Sequence, residues 1–122
     1  MKKIIAVLLT LLLVFCVTGC AKKEKVEITS AADLVGKKIG VQAGTTGEWW
    51  VTDNVEGATV VSFKTGIDAA MDLMNGAIDA VVLDELPAKE IVAKNKKLEI
   101  VKDKLAKQGI ELITYHRKNM RS

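Results

Sequence analysis

Two short polar stretches carry the residues best suited to bind a small molecule, and each comes at the end of an apolar, strand-like run or within two residues of it. The first segment is Gly44-Thr45-Thr46, which follows Ile39–Val41 and leads into a helical stretch. A glycine turn before a helix presents unpaired N–H groups and the positive end of the helix dipole, which together favour a small anion. Because Gly44 has no side chain, the anion can approach the backbone closely.

The second polar segment is Asp84, which ends the apolar run Ala80–Leu83. Parallel strands joined by right-handed crossovers point the same way, and ligands of open α/β sheets bind at the C-terminal strand edge. We therefore expect Asp84 and the Thr45-Thr46 turn on one rim. N–H donors for a carboxylate, beside a carboxylate for an ammonium group, match the backbone end of a free amino acid.

Helix capping is the alternative role for each of these side chains. Thr45 or Thr46 could cap the first helix, and Asp84 could cap a helix that begins near Pro87. Thr65 closes another predicted strand at the same rim and is a weaker candidate contact, for which capping is the favoured role.

Strand-like and helix-like segments alternate between residues 37 and 101. The predicted strands cover 39–43, 59–63, 80–83 and 98–101, and the predicted helices cover 45–54, 65–75 and 87–95. This alternation predicts an α/β fold, a single small lobe whose mostly parallel sheet is flanked by helices. The middle helix has apolar residues at i, i+3, i+4 and i+7, which predicts a core-facing side. These residues are Ile67, Ala70, Met71 and Met74.

Residues 33 to 101 resemble the second lobe of a bacterial extracellular solute-binding protein of family 3, the amino-acid receptors of ABC importers. The resemblance rests on DLVGKKIGVQAGTTGE and on VVSFKTGIDAAMDLMNGAIDAVVLDELPA. It implies one lobe of a periplasmic-binding-protein type II fold. It also implies that the turn Gly44-Thr45-Thr46 holds the ligand α-carboxylate and that Asp84 holds the α-ammonium group.

The N-terminal 19 residues are typical of a lipoprotein signal peptide. Lys2-Lys3 is a basic start, and the apolar run Ile4–Val17 is shorter than the roughly 20 residues that a membrane-spanning helix needs. Val17-Thr18-Gly19-Cys20 then resembles a lipoprotein cleavage box. We expect lipidation of Cys20 and an extracytoplasmic protein anchored to the bacterial cell membrane. The alternative is an ordinary secretory signal with an incidental cysteine.

Composition excludes several function classes. Cys16 leaves with the signal and Cys20 carries lipid, so no thiol remains for a disulfide, a metal or nucleophilic catalysis. Two of the 18 basic residues lie in the signal, and the 15 acidic residues nearly balance the rest. This balance argues against nucleic acid as a partner. His116 has no evident partner, and we expect neither a metal site nor a cofactor.

We divide the chain into a signal peptide (1–19), a lipidated cysteine with a polar tether (20–32), a solute-binding lobe (33–106) and a divergent or truncated tail (107–122). Members of the family carry a first lobe before KKIGVQ that supplies an arginine for the ligand. No arginine precedes residue 117 here, so that clamp is not carried over. Truncation, a shifted reading frame near residue 107 or a genuine short variant would each explain the tail.

Binding is favoured over catalysis. The leading hypothesis is that the chain binds a small zwitterionic amino acid as part of the receptor of an ABC importer, with a membrane permease as partner. A truncated lipoprotein remnant that binds nothing is one alternative. The other is an envelope dehydratase-like enzyme of the same fold, which needs a placed general acid. Glu48 and Glu85 are the carboxylates near Asp84, and neither has an evident tuning partner, so we predict no catalytic residue.

Overall fold

The computed structural model describes residues 27–115, so the segment predicted to be a signal peptide, Cys20 and His116 lie outside the described residues. The described part is a five-stranded sheet with helices on both faces. In chain order the elements are a 3₁₀ helix at Ala31–Leu34, β1 at Lys38–Gln42, α1 at Thr46–Asn54, β2 at Thr59–Phe63, α2 at Gly66–Met74, β3 at Ala80–Asp84, α3 at Glu85–Lys94, β4 at Leu98–Val101, a second 3₁₀ helix at Lys104–Gln108 and β5 at Ile110–Tyr115.

The sheet has the strand order β2-β1-β3-β5-β4. β1 lies between β2 and β3 and is parallel to both, with Ile39 opposite Val60 on one side and Ala80 on the other. β5 is antiparallel to β3 and to β4, so β4 points the same way as β3. The predicted α/β fold with one sheet flanked by helices is confirmed; both strand pairs of β1 are parallel, and both strand pairs of β5 are antiparallel.

Two glycines allow helices to lie close to β3 on both faces of the sheet. A Cβ atom at Gly47 would be 2.9 Å from the carbonyl oxygen of Val82, so α1 approaches the β3 backbone directly. On the other face, a Cβ atom at Gly66 would be 2.8 Å from Cδ1 of Leu83. α2 and α3 share that second face. β3 is therefore fully buried until it reaches the rim at Asp84.

The core-facing side of α2 differs from the prediction. Small residues next to Gly66 face the sheet, together with Leu73. Ile67 and Met71 are 63% and 51% exposed, so the assignment of Met71 to the core is wrong. The close contact between Gly66 and Leu83 explains the difference, because it brings Ala69 and Ala70 to the sheet and rotates the larger residues outward.

Packing begins earlier in the chain than residue 33, inside the segment that we expected to be a tether. Ile28 is buried in the core cluster beneath α1. The backbone N–H of Thr29 donates to Oδ2 of Asp33 at 3.0 Å, and the N–H of Ala31 donates to Oδ2 of Asp103 at 2.5 Å. Hydrogen bonds from Thr29 lower the pKa of Asp33 below its ordinary value. The first 3₁₀ helix is thereby attached to the segment after β4.

β5 lies in the interior of the sheet, although it falls in the segment that we expected to be a divergent tail. All six of its residues are buried. β4 contacts the sheet only through β5. Among residues 27–115, the hydroxyl of Thr114 is a buried side-chain group with no hydrogen-bond partner, at 1% exposure.

Replacing this unpaired hydroxyl tests the packing of β5. We expect Thr114→Val to raise the free energy of unfolding by about 1 kcal/mol. Valine has the same shape as threonine and lacks the hydroxyl, which is buried here without a hydrogen bond. Urea unfolding followed by circular dichroism measures the change. Thr59→Val on the exposed side of β2 is the matched control and should change stability little. Marked destabilisation by Thr114→Val would show that the hydroxyl has a partner.

Candidate functional site

The C-terminal ends of β1, β2 and β3 form one edge of the sheet. Gln42 lies opposite Phe63, and Val41 lies opposite Val82, so the three strands end at the same level. The helices α1, α2 and α3 follow these ends and begin at the same edge. The structure therefore brings the Gly44-Thr45-Thr46 turn, Thr65 and Asp84 to one rim, the arrangement that the strand pattern predicts. Their role in binding stays a prediction.

The turn after β1 presents backbone N–H groups. Gly44 has a φ of +76°, a conformation that side-chain-bearing residues rarely adopt. Thr45 is extended and is the N-cap of α1, but its side chain accepts no capping hydrogen bond. The first hydrogen bond of the helix runs from the N–H of Trp49 to the carbonyl of Thr45 at 3.3 Å. The amides of Thr46 and Gly47 precede it and have no acceptor within the helix.

The two threonines of the turn differ in what they can donate. The hydroxyl of Thr45 donates to the carbonyl oxygen of Gln42 at 2.7 Å, so its proton is already used. Thr46 is exposed, and no hydrogen bond of its hydroxyl is found within residues 27–115. An anion at this turn can therefore accept hydrogen bonds from the hydroxyl and the N–H of Thr46, but only from the backbone N–H of Thr45.

Asp84 is exposed at the end of β3. It is the N-cap residue of α3, yet its carboxylate accepts no capping hydrogen bond. The alternative capping role is therefore absent here, and the carboxylate faces solvent at the rim. Thr65 behaves differently, because its hydroxyl oxygen accepts the N–H of Asp68 at 3.2 Å. Capping, the role that we favoured for Thr65, is confirmed.

Glu48 is part of the turn, and the sequence reasoning missed this. Its Oε1 accepts the N–H of Gly44 at 3.2 Å, and its Oε2 accepts the hydroxyl of Ser62 from β2. The hydrogen bond from Ser62 and then that from Gly44 lower the pKa of Glu48 below its ordinary value. The spacing was a usable signal, because Glu48 lies three residues after Thr45 as in a capping box.

Of the two glutamates that were considered as a general acid, Glu48 lacks the required environment. Such an acid needs a raised pKa to keep its proton near neutral pH, whereas the pKa of Glu48 is lowered. Glu85 accepts a hydrogen bond from Lys89 at 2.5 Å in an exposed ion pair. That contact raises the pKa of Lys89. Within residues 27–115, no group of histidine, cysteine and acidic residues could hold a metal ion.

Apolar side chains flank the polar groups of the rim. Leu86, in the first turn of α3, is 80% exposed, and Trp49, in the first turn of α1, is 62% exposed. Trp50 instead packs against the core cluster beneath α1, so one of these two adjacent side chains points inward and the other is exposed. Among the helices of residues 27–115, none is long and apolar enough to cross a membrane.

Comparison with known proteins identifies relatives of this lobe. The chain is 38% identical over 82 residues to the L-cystine-binding protein TcyJ of Escherichia coli K12, an alignment that covers 66% of this chain and 31% of that protein. It is 34% identical over 85 residues to ABC transporter arginine-binding protein 1 of the same strain, covering 70% of this chain and 34% of that protein. No family model matches the chain.

Solved structures agree with these relatives. The crystal structure of domain 2 from TmArgBP is 43% identical, covers 62% of this chain and 80% of that chain, and has a TM-score of 0.54. The chain belongs to the amino-acid-binding proteins of ABC transporters. The arginine-bound form of truncated ArgBP from T. maritima, at 34% identity and a TM-score of 0.61, covers 81% of this chain and 47% of that chain. The chain spans about a third of the length of the curated relatives described above.

The contacts of Glu48 predict an acid-dependent contribution to stability. A group whose pKa is lower in the folded chain stabilises the fold above its unfolded pKa, here 4.5, and loses this contribution as pH falls through the folded pKa. We expect Glu48→Gln to destabilise the chain at pH 7. As the pH falls from 4.5 through the lower pKa of the folded chain, the stability of Glu48→Gln should approach that of the unsubstituted chain. Urea unfolding at pH 7, 5, 4 and 3 measures this.

Glu56→Gln is the control for this experiment, since Glu56 is exposed and lies beyond α1, away from the turn. It should show no such pH-dependent difference. A constant difference between Glu48→Gln and the unsubstituted chain at every pH would contradict a role of the ionised carboxylate.

Proposed function

We propose that this lobe binds the α-carboxylate and α-ammonium groups of a free amino acid as part of the extracytoplasmic receptor of an ABC importer. One observation carries the proposal. Asp84 is exposed and its carboxylate forms no capping hydrogen bond, and it lies on the same sheet edge as the N–H groups of the Thr45-Thr46 turn. A zwitterion has one charge for each of these groups. The lobe therefore holds the ligand without any chemical step.

The donors and the acceptor differ in how they hold charge. The amides of Thr45 and Thr46 and the positive end of α1 attract the carboxylate, and the hydroxyl of Thr46 adds a further donor. Asp84 offers a full negative charge to the ammonium group. Each exposed charge pair contributes about 0–1 kcal/mol, while micromolar affinity requires about −8 kcal/mol. A single lobe whose binding face is open to solvent should therefore bind amino acids with millimolar affinity or weaker.

The relatives support a chemical class of ligand, amino acids, and not one particular amino acid. Two curated relatives are named for cystine and arginine, and a solved relative is the arginine-bound form of ArgBP. We infer that the ligand is an amino acid, that a first lobe supplies the other side of the binding site, and that an ABC permease is the membrane partner. Tight binding would need that other side, because it removes the charge pairs from water.

We also propose that Cys20 carries a lipid anchor and that the protein is held at the outer surface of the cell membrane. Val17-Thr18-Gly19-Cys20 supports this, because small residues before a cysteine fit a lipoprotein cleavage box. More than one acyl chain gives stable attachment, whereas a single chain is marginal. Intact mass spectrometry of the envelope-extracted protein should show an acylated N-terminal Cys20. An unmodified Cys20 would contradict the anchor.

Removing the charge of Asp84 tests the amino-acid site. We expect L-arginine to bind the chain with a millimolar dissociation constant in an NMR titration and Asp84→Asn to weaken this binding several-fold. Asp53→Asn is the matched control, because Asp53 is exposed near the C-terminal end of α1, away from the rim. Agmatine, which lacks the α-carboxylate, should fail to shift the amides of Thr45 and Thr46.

Two results would contradict the proposed function. Equal affinity of the Asp84→Asn and unsubstituted chains would remove Asp84 from the site. No binding of arginine or histidine at tens of millimolar would favour the alternative of a lobe that binds nothing.

A further inference from the structure

We infer that Glu48 is a positioning residue of the amino-acid site, which withholds the Gly44 amide from the ligand and limits the negative charge that the site accepts. This inference rests on the proposed function, because it concerns the same turn. The observation behind it is that Oε1 of Glu48 already accepts the N–H of Gly44 at 3.2 Å. With the Gly44 amide occupied and Gly47 buried, the ligand carboxylate is left with the amides of Thr45 and Thr46.

Glu48 is held in this place from two directions. Its second oxygen accepts the hydroxyl of Ser62, which lies opposite Val41 in the sheet. The carboxylate thus joins the first turn of α1 to β2 and to the glycine turn at once. With Gly44 at a φ of +76°, these contacts fix the direction in which the next two amides point. The ligand carboxylate is set one residue further along the chain than Gly44.

The charge of Glu48 has a second consequence for the ligand. A carboxylate bound to the Gly44 amide lies beside any anion bound to the next amides, so it opposes part of the attraction of the helix dipole. Asp84 adds another negative charge at the same rim. The rim therefore favours amino acids whose side chains are neutral or cationic and disfavours those with a second carboxylate. Glu48 lowers the affinity for a bare carboxylate while it orders the turn.

Two substitutions separate the hydrogen bond of Glu48 from its charge. Glu48→Gln keeps an oxygen that can accept the Gly44 amide and removes the charge, whereas Glu48→Ala removes both. The amide signals of Gly44, Thr45 and Thr46 in the ¹⁵N-labelled full chain, held in nonionic detergent, report on the turn. The probes are L-arginine, L-glutamate and sodium acetate, the last being a carboxylate alone.

In the unsubstituted chain we expect arginine and acetate to shift the amides of Thr45 and Thr46 but not that of Gly44. Glu48→Gln should tighten acetate binding by roughly three- to fivefold, the effect of a unit charge about 4–6 Å away in water. It should also reduce the preference for arginine over glutamate. Glu48→Ala should make the Gly44 amide respond to acetate. Glu56→Gln, an exposed control beyond α1, should change none of these.

The outcomes distinguish the two proposals. If the Gly44 amide of the unsubstituted chain shifts together with that of Thr46, or if Glu48→Gln leaves acetate affinity unchanged, the positioning role is overturned while amino-acid binding stands. If neither Thr45 nor Thr46 responds to arginine in the unsubstituted chain, the proposed function is overturned, and the role of Glu48 in it falls as well.

Discussion

The parallel pairing of β1 with both β2 and β3 is the constraint on which the rest of the site depends. Because the three strands end at one edge, the segments that follow them must meet there, although Thr45 and Asp84 are far apart in the sequence. The same pairing makes the helices after these strands begin at that edge. The strand topology alone therefore places backbone N–H groups and an aspartate at one rim, independently of side-chain contacts.

β3 transmits this constraint to the helices. Its central position exposes both of its faces to packing, and glycine is used where each helix comes closest, Gly47 against Val82 and Gly66 against Leu83. A larger residue at Gly47 would push the first turn of α1 away from the β3 backbone and move the donors of the turn. The rim geometry therefore relies on close packing beneath it as well as on the hydrogen bonds of Glu48 above.

The sequence was sufficient for the elements whose signals are local. Apolar runs followed by glycine or polar residues predicted β1 to β4 and placed Asp84 at a strand end, which the structure confirms. The predicted core-facing side of α2 was wrong at Met71. Periodicity alone does not show which of two neighbouring helix faces packs on the sheet, and here the close contact of Gly66 with Leu83 decides it. The interior place of β5 follows from long-range pairing with β3 and β4, which no local pattern encodes. The contact from Glu48 to Ser62 depends likewise on a long-range pairing, that of β1 with β2.

The most direct test of this account is a crystal structure of the chain with L-arginine. We predict the α-carboxylate within hydrogen-bond distance of the Thr45 and Thr46 amides, with the α-ammonium group against Asp84 and with Glu48 still hydrogen-bonded to the Gly44 amide. Arginine bound away from this rim, or bound there with its guanidinium on Asp84 and its carboxylate in solvent, would contradict the account.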